Sequence, residues 1–199
     1  PTRSSAVSAS PGRNASAGAS RSLCSASDSA SSEPAARAAR TASDPVVGYD
    51  ALHGVWLAAT LTIEPSFSHI YVARSTDGEH WSAPVDAAAG PVLDKDWVAC
   101  DNGASSPFRG RCYLEYTDDQ RNITVSQYST DGGQTWSPSV RAGALLVGTQ
   151  PVVQPNGTLV VVAGDYANED ALTGSIVALR SSDGGATFTR VAFTPVESS

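Results

Sequence analysis

The chain has 199 residues, 41% of them hydrophobic, and a formal net charge of −7, which suits one globular domain with or without a tail. No apolar run approaches the ~20 residues that a helix needs to cross a bilayer, which excludes a helical membrane span. The sequence holds no Met, so position 1 is not read as an initiator, and a fragment or processed product is expected.

Charge divides the chain in two. Residues 1–43 carry Arg3, Arg13, Arg21, Arg37 and Arg40 against Asp28 and Glu33, a net of +3. The remainder holds 8 of the 13 basic and 18 of the 20 acidic groups, a net of −10. Such an acidic domain repels a phosphate backbone, so nucleic acid is not an expected partner. Residues 1–43 are Ser and Ala with scattered Arg, Gly and Pro, and they also hold Cys24. Without apolar periodicity they bury too little to offset ordering entropy, so a disordered tail or linker is expected. The apolar centre of a secretory signal is missing from them.

From residue 44 the chain reads as three units, 44–94, 95–149 and 150–199, and none shows a helical period. In the first unit, strand-like runs at 45–49 and 55–61 flank a polar turn. An alternating run at 69–74 then leads into Ser75-Thr-Asp-Gly-Glu-His-Trp81. The second repeats this with runs at 97–100, 112–117 and 123–128 before Ser129-Thr-Asp-Gly-Gly-Gln-Thr-Trp136. The third has runs at 151–154, 159–163 and 175–180 before Ser181-Ser-Asp-Gly-Gly-Ala-Thr-Phe188. A short segment after each motif supplies a fourth strand. The motifs start 54 and 52 residues apart, a blade-sized interval, so an all-β propeller of four-stranded antiparallel blades is predicted over a Greek-key sandwich.

The motif makes sense as folding chemistry. Ser75, Ser129 and Ser181, with Asp77, Asp131 and Asp183 two residues on, can accept backbone N–H bonds and lock a turn. Gly78, Gly132 and Gly184 suit positive φ, Gly133 and Gly185 stand at the Gly position of the motif, and Trp81, Trp136 and Phe188 cover the hairpin end. The first copy is one residue short, with Glu79 in place of Gly and no Thr before Trp81, so a distorted turn is expected. These acids are expected to be turn braces rather than catalysts.

The repeated segment resembles the Asp-box, or BNR repeat, of the bacterial-type sialidases. The resemblance covers residues 44–199 and implies three blades of a six-bladed ring, the others missing or supplied by another chain. It also implies that Asp boxes lie on the face away from the ligand, so the connections on the opposite face hold the candidate site. There lie Asp94, Lys95, Asp96, Asp118, Asp119, Arg121, Arg141 and Glu169, together with Glu64, His69, Gln150, Asp165 and Asp170. The segment Asp94-Lys-Asp-Trp97 is similar to one common in secreted sialidase-like propellers, which makes Asp94 and Asp96 the leading functional candidates. Cys100 and Cys112 fall on the first two strands of the middle blade. A bridge between them is favoured over two free buried thiols.

The resemblance implies a secreted or cell-surface glycoside hydrolase of exo-sialidase type acting on glycans. Such enzymes use an Arg triad, an Asp acid/base and a Tyr–Glu nucleophile. The family's Phe-Arg-Ile-Pro signature is absent, since Pro107-Phe-Arg-Gly110 sits in a loop on the Asp-box face. No Tyr–Glu pair is assignable, because Glu115 and Tyr116 are strand neighbours that point to opposite faces. The alternative is a non-catalytic propeller that binds glycan or protein. No cofactor is expected. A Ca²⁺ site at 94–101 would fit no EF-hand spacing, and no metal ligand is assigned.

Overall fold

The computed structural model describes residues 41–165 and 173–197. Most of the expected tail, and the candidates Glu169 and Asp170, lie outside the described residues. Twelve strands follow one another. The first sheet is β1 (Thr41–Asp50), β2 (Val55–Glu64), β3 (Phe67–Ser75) and β4 (Val85–Gly90). The second is β5 (Leu93–Cys100), β6 (Cys112–Asp118), β7 (Ile123–Ser129) and β8 (Val140–Ala144). The third is β9 (Val147–Val153), β10 (Leu159–Asp165), β11 (Thr173–Ser181) and β12 (Thr189–Glu197). Each sheet is an antiparallel meander in sequence order, the build of a propeller blade. β1 starts at Thr41, three residues ahead of the start that composition suggested, because its pairing with β2 runs on to Thr41 opposite Ile63.

The first strands of the three sheets, β1, β5 and β9, touch in succession and so line the axis. Alternation decides what each face meets. Along β2, Val55, Leu57, Ala59 and Leu61 are buried while Trp56 and Ile63 are exposed. The buried set joins Ile70 and Val72 against Val98, Cys112, Leu114, Tyr116 and Val125 of the second sheet. Tyr113 and Ala142 of the second sheet pack on Leu159, Val161, Ala163, Val177 and Leu179 of the third. Fully burying a side chain of the Leu or Val kind is worth about 1.5–3 kcal/mol, so these two interfaces supply much of the fold's stability.

The turn motifs contribute directly to this docking. Trp136 packs into the interface with the first sheet and Phe188 into that with the second, each onto the preceding blade. Gly133, at φ 81°, approaches Leu57 so closely that an added Cβ would sit 2.5 Å from its Cδ2. Gly184 meets Phe108 and Arg111 in the same way. An Arg of the preceding sheet completes each contact. Arg74 Nε donates to the Gly132 carbonyl and Arg111 Nη1 to that of Gly184, both at 2.5 Å. Arg111 also lies over the Tyr128 ring, 4.0 Å from its centroid. Around Gly78 of the first motif, by contrast, the space is open, and Trp81 stays 42% exposed.

Candidate functional site

The two ends of the sheets treat their carboxylates differently. At the end bearing the repeated turns, every inward-turned acid is fully engaged. Asp131 Oδ1 accepts the N–H groups of Gln134 and Thr135 and the hydroxyl of Ser129, and Oδ2 accepts the Thr135 hydroxyl at 2.6 Å. Burial alone would raise the Asp131 pKa, but the Thr135 hydroxyl and these N–H bonds outweigh it and bring it down to about 2. In the third motif the Thr187 hydroxyl and N–H lead, and Asp183 also falls to about 2.

The short first motif closes around the same group with different partners. Asp77 Oδ1 accepts from Glu79 and His80 N–H, and His80 Nδ1 lies 2.9 Å from Oδ2, where the other copies place a Thr hydroxyl. Ser75 Oγ takes the N–H of Gly78 instead of one four residues on. The missing residue thus shortens the turn without opening it.

Asp50 and Asp101, both fully buried at this end, brace two further loops. Asp50 accepts from Leu52 N, His53 N and the His53 ring. Asp101 accepts from Gly103 N and the Ser106 hydroxyl. The loop after Asp101 is closed covalently as well, since Cys100 and Cys112 are disulfide-bonded across directly opposed positions.

At the opposite end the three axial strands share a device that sequence reading missed. Asp44 and Pro45 of β1 face Thr60 alone, as the register jumps from Ser43–Leu61 to Val46–Ala59. Lys95 and Asp96 of β5 face Tyr116, and Gly148 and Thr149 of β9 face Ala163, by the same two-for-one jump. The first residue of each pair has positive φ: Asp44 at 49°, Lys95 at 55° and Gly148 at 71°. This is the bulge whose first position favours Gly. Gly148 obeys that preference. Asp44 and Lys95 hold a conformation that costs a non-Gly residue about 1–2 kcal/mol. Their side chains pay part of this back by pairing, Lys95 Nζ to Asp44 Oδ1 at 3.6 Å.

The second bulge residue turns inward. Asp96 is 1% exposed and Thr149 fully buried. Among the described residues, neither Asp96 oxygen has a hydrogen-bond partner, nor does Asp44 Oδ2 or Thr149 Oγ1. Asp44, Lys95, Asp96 and Gly148, with Pro45, Val46 and Trp97, line a pocket of about 310 Å³. Burial first, then the negative charge of Asp44 and, less, that of Asp94 push the Asp96 pKa up to about 7. The N–H groups of Asp96 itself and Leu61 oppose this, though neither makes a hydrogen bond to the carboxyl. Burying an unpartnered carboxyl is costly, and here the fold does so beside a second one.

A larger hollow of about 600 Å³ lies on the open face of the first sheet, lined by Val47, Ala58, Tyr71, Trp81 and their neighbours. Its lining is almost wholly apolar, and it shares Pro45 and Val46 with the axial pocket but none of the acids.

The other candidates do not converge on the axial pocket. Asp94 precedes the bulge, half-buried and outside the lining. Asp118 braces the β6–β7 turn by accepting from Arg121 N, and the Arg121 guanidinium lies back over it at 3.6 Å. Asp119, exposed in the same turn, uses its N–H on the Val92 carbonyl. Arg141 stands on β8, the outermost strand of its sheet, with Nε on the Gly143 carbonyl. Among the described residues no group of three His, Cys, Asp or Glu side chains is arranged to hold a metal ion.

Glu115 is a separate case. It is fully buried on the face towards the third sheet, accepts the Ser126 hydroxyl at 2.7 Å, and its second oxygen is unpartnered. Burial holds its pKa well above the usual range. Tyr116, its neighbour, packs on the opposite face and donates to Gln127.

The pattern of the family described as "BNR repeat-like domain" matches residues 21–199. No curated protein matches the chain. Among solved structures, a protein of unknown function from Dyadobacter fermentans is 15% identical, with a TM-score of 0.54 over 75% of this chain and 53% of that one. The Hadza microbial sialidase Hz136 is 16% identical, with a TM-score of 0.58 over 78% of this chain and 38% of that one. A fructofuranosidase from Schwanniomyces occidentalis is 15% identical, with a TM-score of 0.55 over 79% and 34%. The chain thus spans about half, or less, of the solved chains it resembles, and at these identities the likeness is one of fold.

Proposed function

Since the chain belongs to the BNR repeat-like domain family, we propose that it is part of a carbohydrate-acting β-propeller whose glycan meets the axial end of β1, β5 and β9. The observation that carries this is the pair of acids, Asp44 and Asp96, left with unpartnered oxygens in a pocket at that end. Sugar hydroxyls are the natural donors for such oxygens, and propeller ligands sit where the axial strands open. A sialidase and a fructofuranosidase of similar fold support a sugar as the ligand class.

The finer reading is a secreted, sialidase-like glycoside hydrolase of six blades, to which this chain contributes three. The Cys100–Cys112 disulfide supports an oxidising compartment. Recognition of a sialic acid carboxylate requires convergent Arg groups. Arg121 is turned back on Asp118 and Arg141 stands on the outermost strand. In this reading those arginines come from elsewhere in the ring, and the 199-residue chain alone binds glycan without cleaving it.

A glycan-binding panel and a fluorogenic sialoside test both statements. Binding that weakens at least tenfold in Asp96→Thr, with no turnover, is the expected result. Undiminished binding in Asp96→Thr would remove the axial pocket from the reading. Sialoside turnover lost in Arg121→Ala would move the site to the β6–β7 turn.

A further inference from the structure

Among the described residues, the acids of the axial pocket leave a charge that is not fully answered. Asp44, Asp94 and Asp96 cluster at two adjacent bulges against a single cation, Lys95, whose ammonium group is already given to Asp44 Oδ1. The local net charge with all acids ionised is therefore −2. Three oxygens face this pocket region without a partner: both of Asp96, on a side chain 1% exposed, and Oδ2 of Asp44. All are hard carboxylate donors, and no thiolate or imidazole lines the pocket. Its volume of about 310 Å³ leaves room for several waters beside an ion.

We propose that this pocket is a divalent cation site of the Ca²⁺ class, with Asp96 as the chelating ligand, Asp44 as the second and water completing the shell. Ca²⁺ accepts six to eight oxygens in irregular geometry, so two carboxylates and solvent suffice for a weak site where a metal of strict geometry would need more protein ligands. The ion neutralises the −2 charge and pairs all three free oxygens. It also gives a reason for the strained backbone at Asp44 and Lys95. Gly would satisfy either bulge at lower cost, as Gly148 does in the third strand. Asp44 instead supplies a ligand, and Lys95 holds that ligand in place through its other oxygen. The inference does not depend on whether a sugar also binds there.

The full chain, stripped with EDTA, is titrated with Ca²⁺ while its thermal midpoint is followed, and separately with Tb³⁺ excited through tryptophan. Trp97 lines the pocket, so bound Tb³⁺ should emit by energy transfer from it. The expected result is a saturable midpoint rise or Tb³⁺ emission, displaced by Ca²⁺ in the latter case, that is at least tenfold weaker in Asp96→Thr. Thr occupies the matching bulge position at Thr149, so this fold accommodates it there. Should that variant fail to fold, Asp44→Asn at the partly exposed second ligand gives the same reading. Signals retained in the folded variant would mean diffuse binding to an acidic surface and would overturn the proposal. Absence of both signals in the wild-type chain would overturn it equally.

Discussion

Asp131, in the turn between β7 and β8, and Asp96, on β5, are the same residue type at opposite ends of one sheet, yet they have opposite surroundings. Asp131 is wrapped by four donors at the turn end, which bring its pKa down to about 2, whereas Asp96 is buried at the axial end with no partner among the described residues and its pKa is pushed up to about 7. The contrast extends to the neighbours of each. Asp50, Asp77, Asp101 and Asp183 at the turn end are all partnered, while Asp44 beside Asp96 keeps one oxygen free. A carboxylate whose every lone pair is taken by its own loop is complete as it stands and serves folding. One that is desolvated and left open beside a pocket, as Asp96 is and Glu115 between its sheets is not, is placed to meet something else.

The turn end should therefore fail structurally when altered. The largest effect is expected for the covalent brace. Replacing Cys100 and Cys112 together by Ser should cost about 2–4 kcal/mol in equilibrium unfolding, as for other short disulfide loops. An unchanged denaturation midpoint would show that Asp101 and its loop hold without it.

Asp131→Ala comes next, at about 1–3 kcal/mol from stranded turn N–H groups. Asp77→Ala should cost less, because its motif is shorter, exposed, and packs on no preceding blade. Equal losses from the two would mean that docking of the motif onto its neighbour adds nothing. In either variant, any ligand affinity of the folded fraction should be unchanged.

Titration sharpens the contrast further. Asp131 and Asp183 have folded pKa values near 2, below the ordinary 3.8, so their stabilisation is present above about pH 4 and is lost as pH falls towards 2. Glu115 has the opposite sign. Its folded pKa lies above 4.5, so stability falls as pH rises from 4.5 towards that raised value. Unfolding free energies measured against pH should have a shallower acid limb in Asp131→Asn, with the share of Asp183 retained, and flatten on the alkaline side in Glu115→Gln. A Glu115→Gln profile parallel to wild type above pH 5 would show that this carboxyl ionises without cost.

How far these features were legible follows from what each leaves in the sequence. The turn motifs are local: Ser, Asp and Gly act on amides two to four residues away, so spacing alone located them, while the family resemblance sorted the two ends. The short first copy looked distorted because Thr was missing, and only the structure shows the His80 ring standing in its place. The axial bulges left almost no trace. Their matching first positions are Asp44, Lys95 and Gly148, and their second positions Pro45, Asp96 and Thr149, residues with nothing in common but a backbone shape. Asp44 consequently read only as the first residue of the first unit and not as a site candidate. Arg121 and Arg141 were placed on the ligand side by chain order, which cannot show that one folds back on Asp118 and the other stands on the outermost strand. Face assignment is a matter of connectivity, whereas convergence on a site is a matter of three dimensions.

The claim that partnered acids serve the fold and open acids serve a ligand is tested most directly by the equilibrium stability of Asp96→Thr in EDTA, with no ligand added. Removing a buried, unpartnered carboxyl takes away a desolvation cost and no bond. The account predicts an unfolding free energy equal to or above that of the wild-type chain, beside a clear loss for Asp131→Ala measured in parallel. A loss in Asp96→Thr as large as that of Asp131→Ala would contradict it, since Asp96 would then be bracing the structure like the acids at the other end.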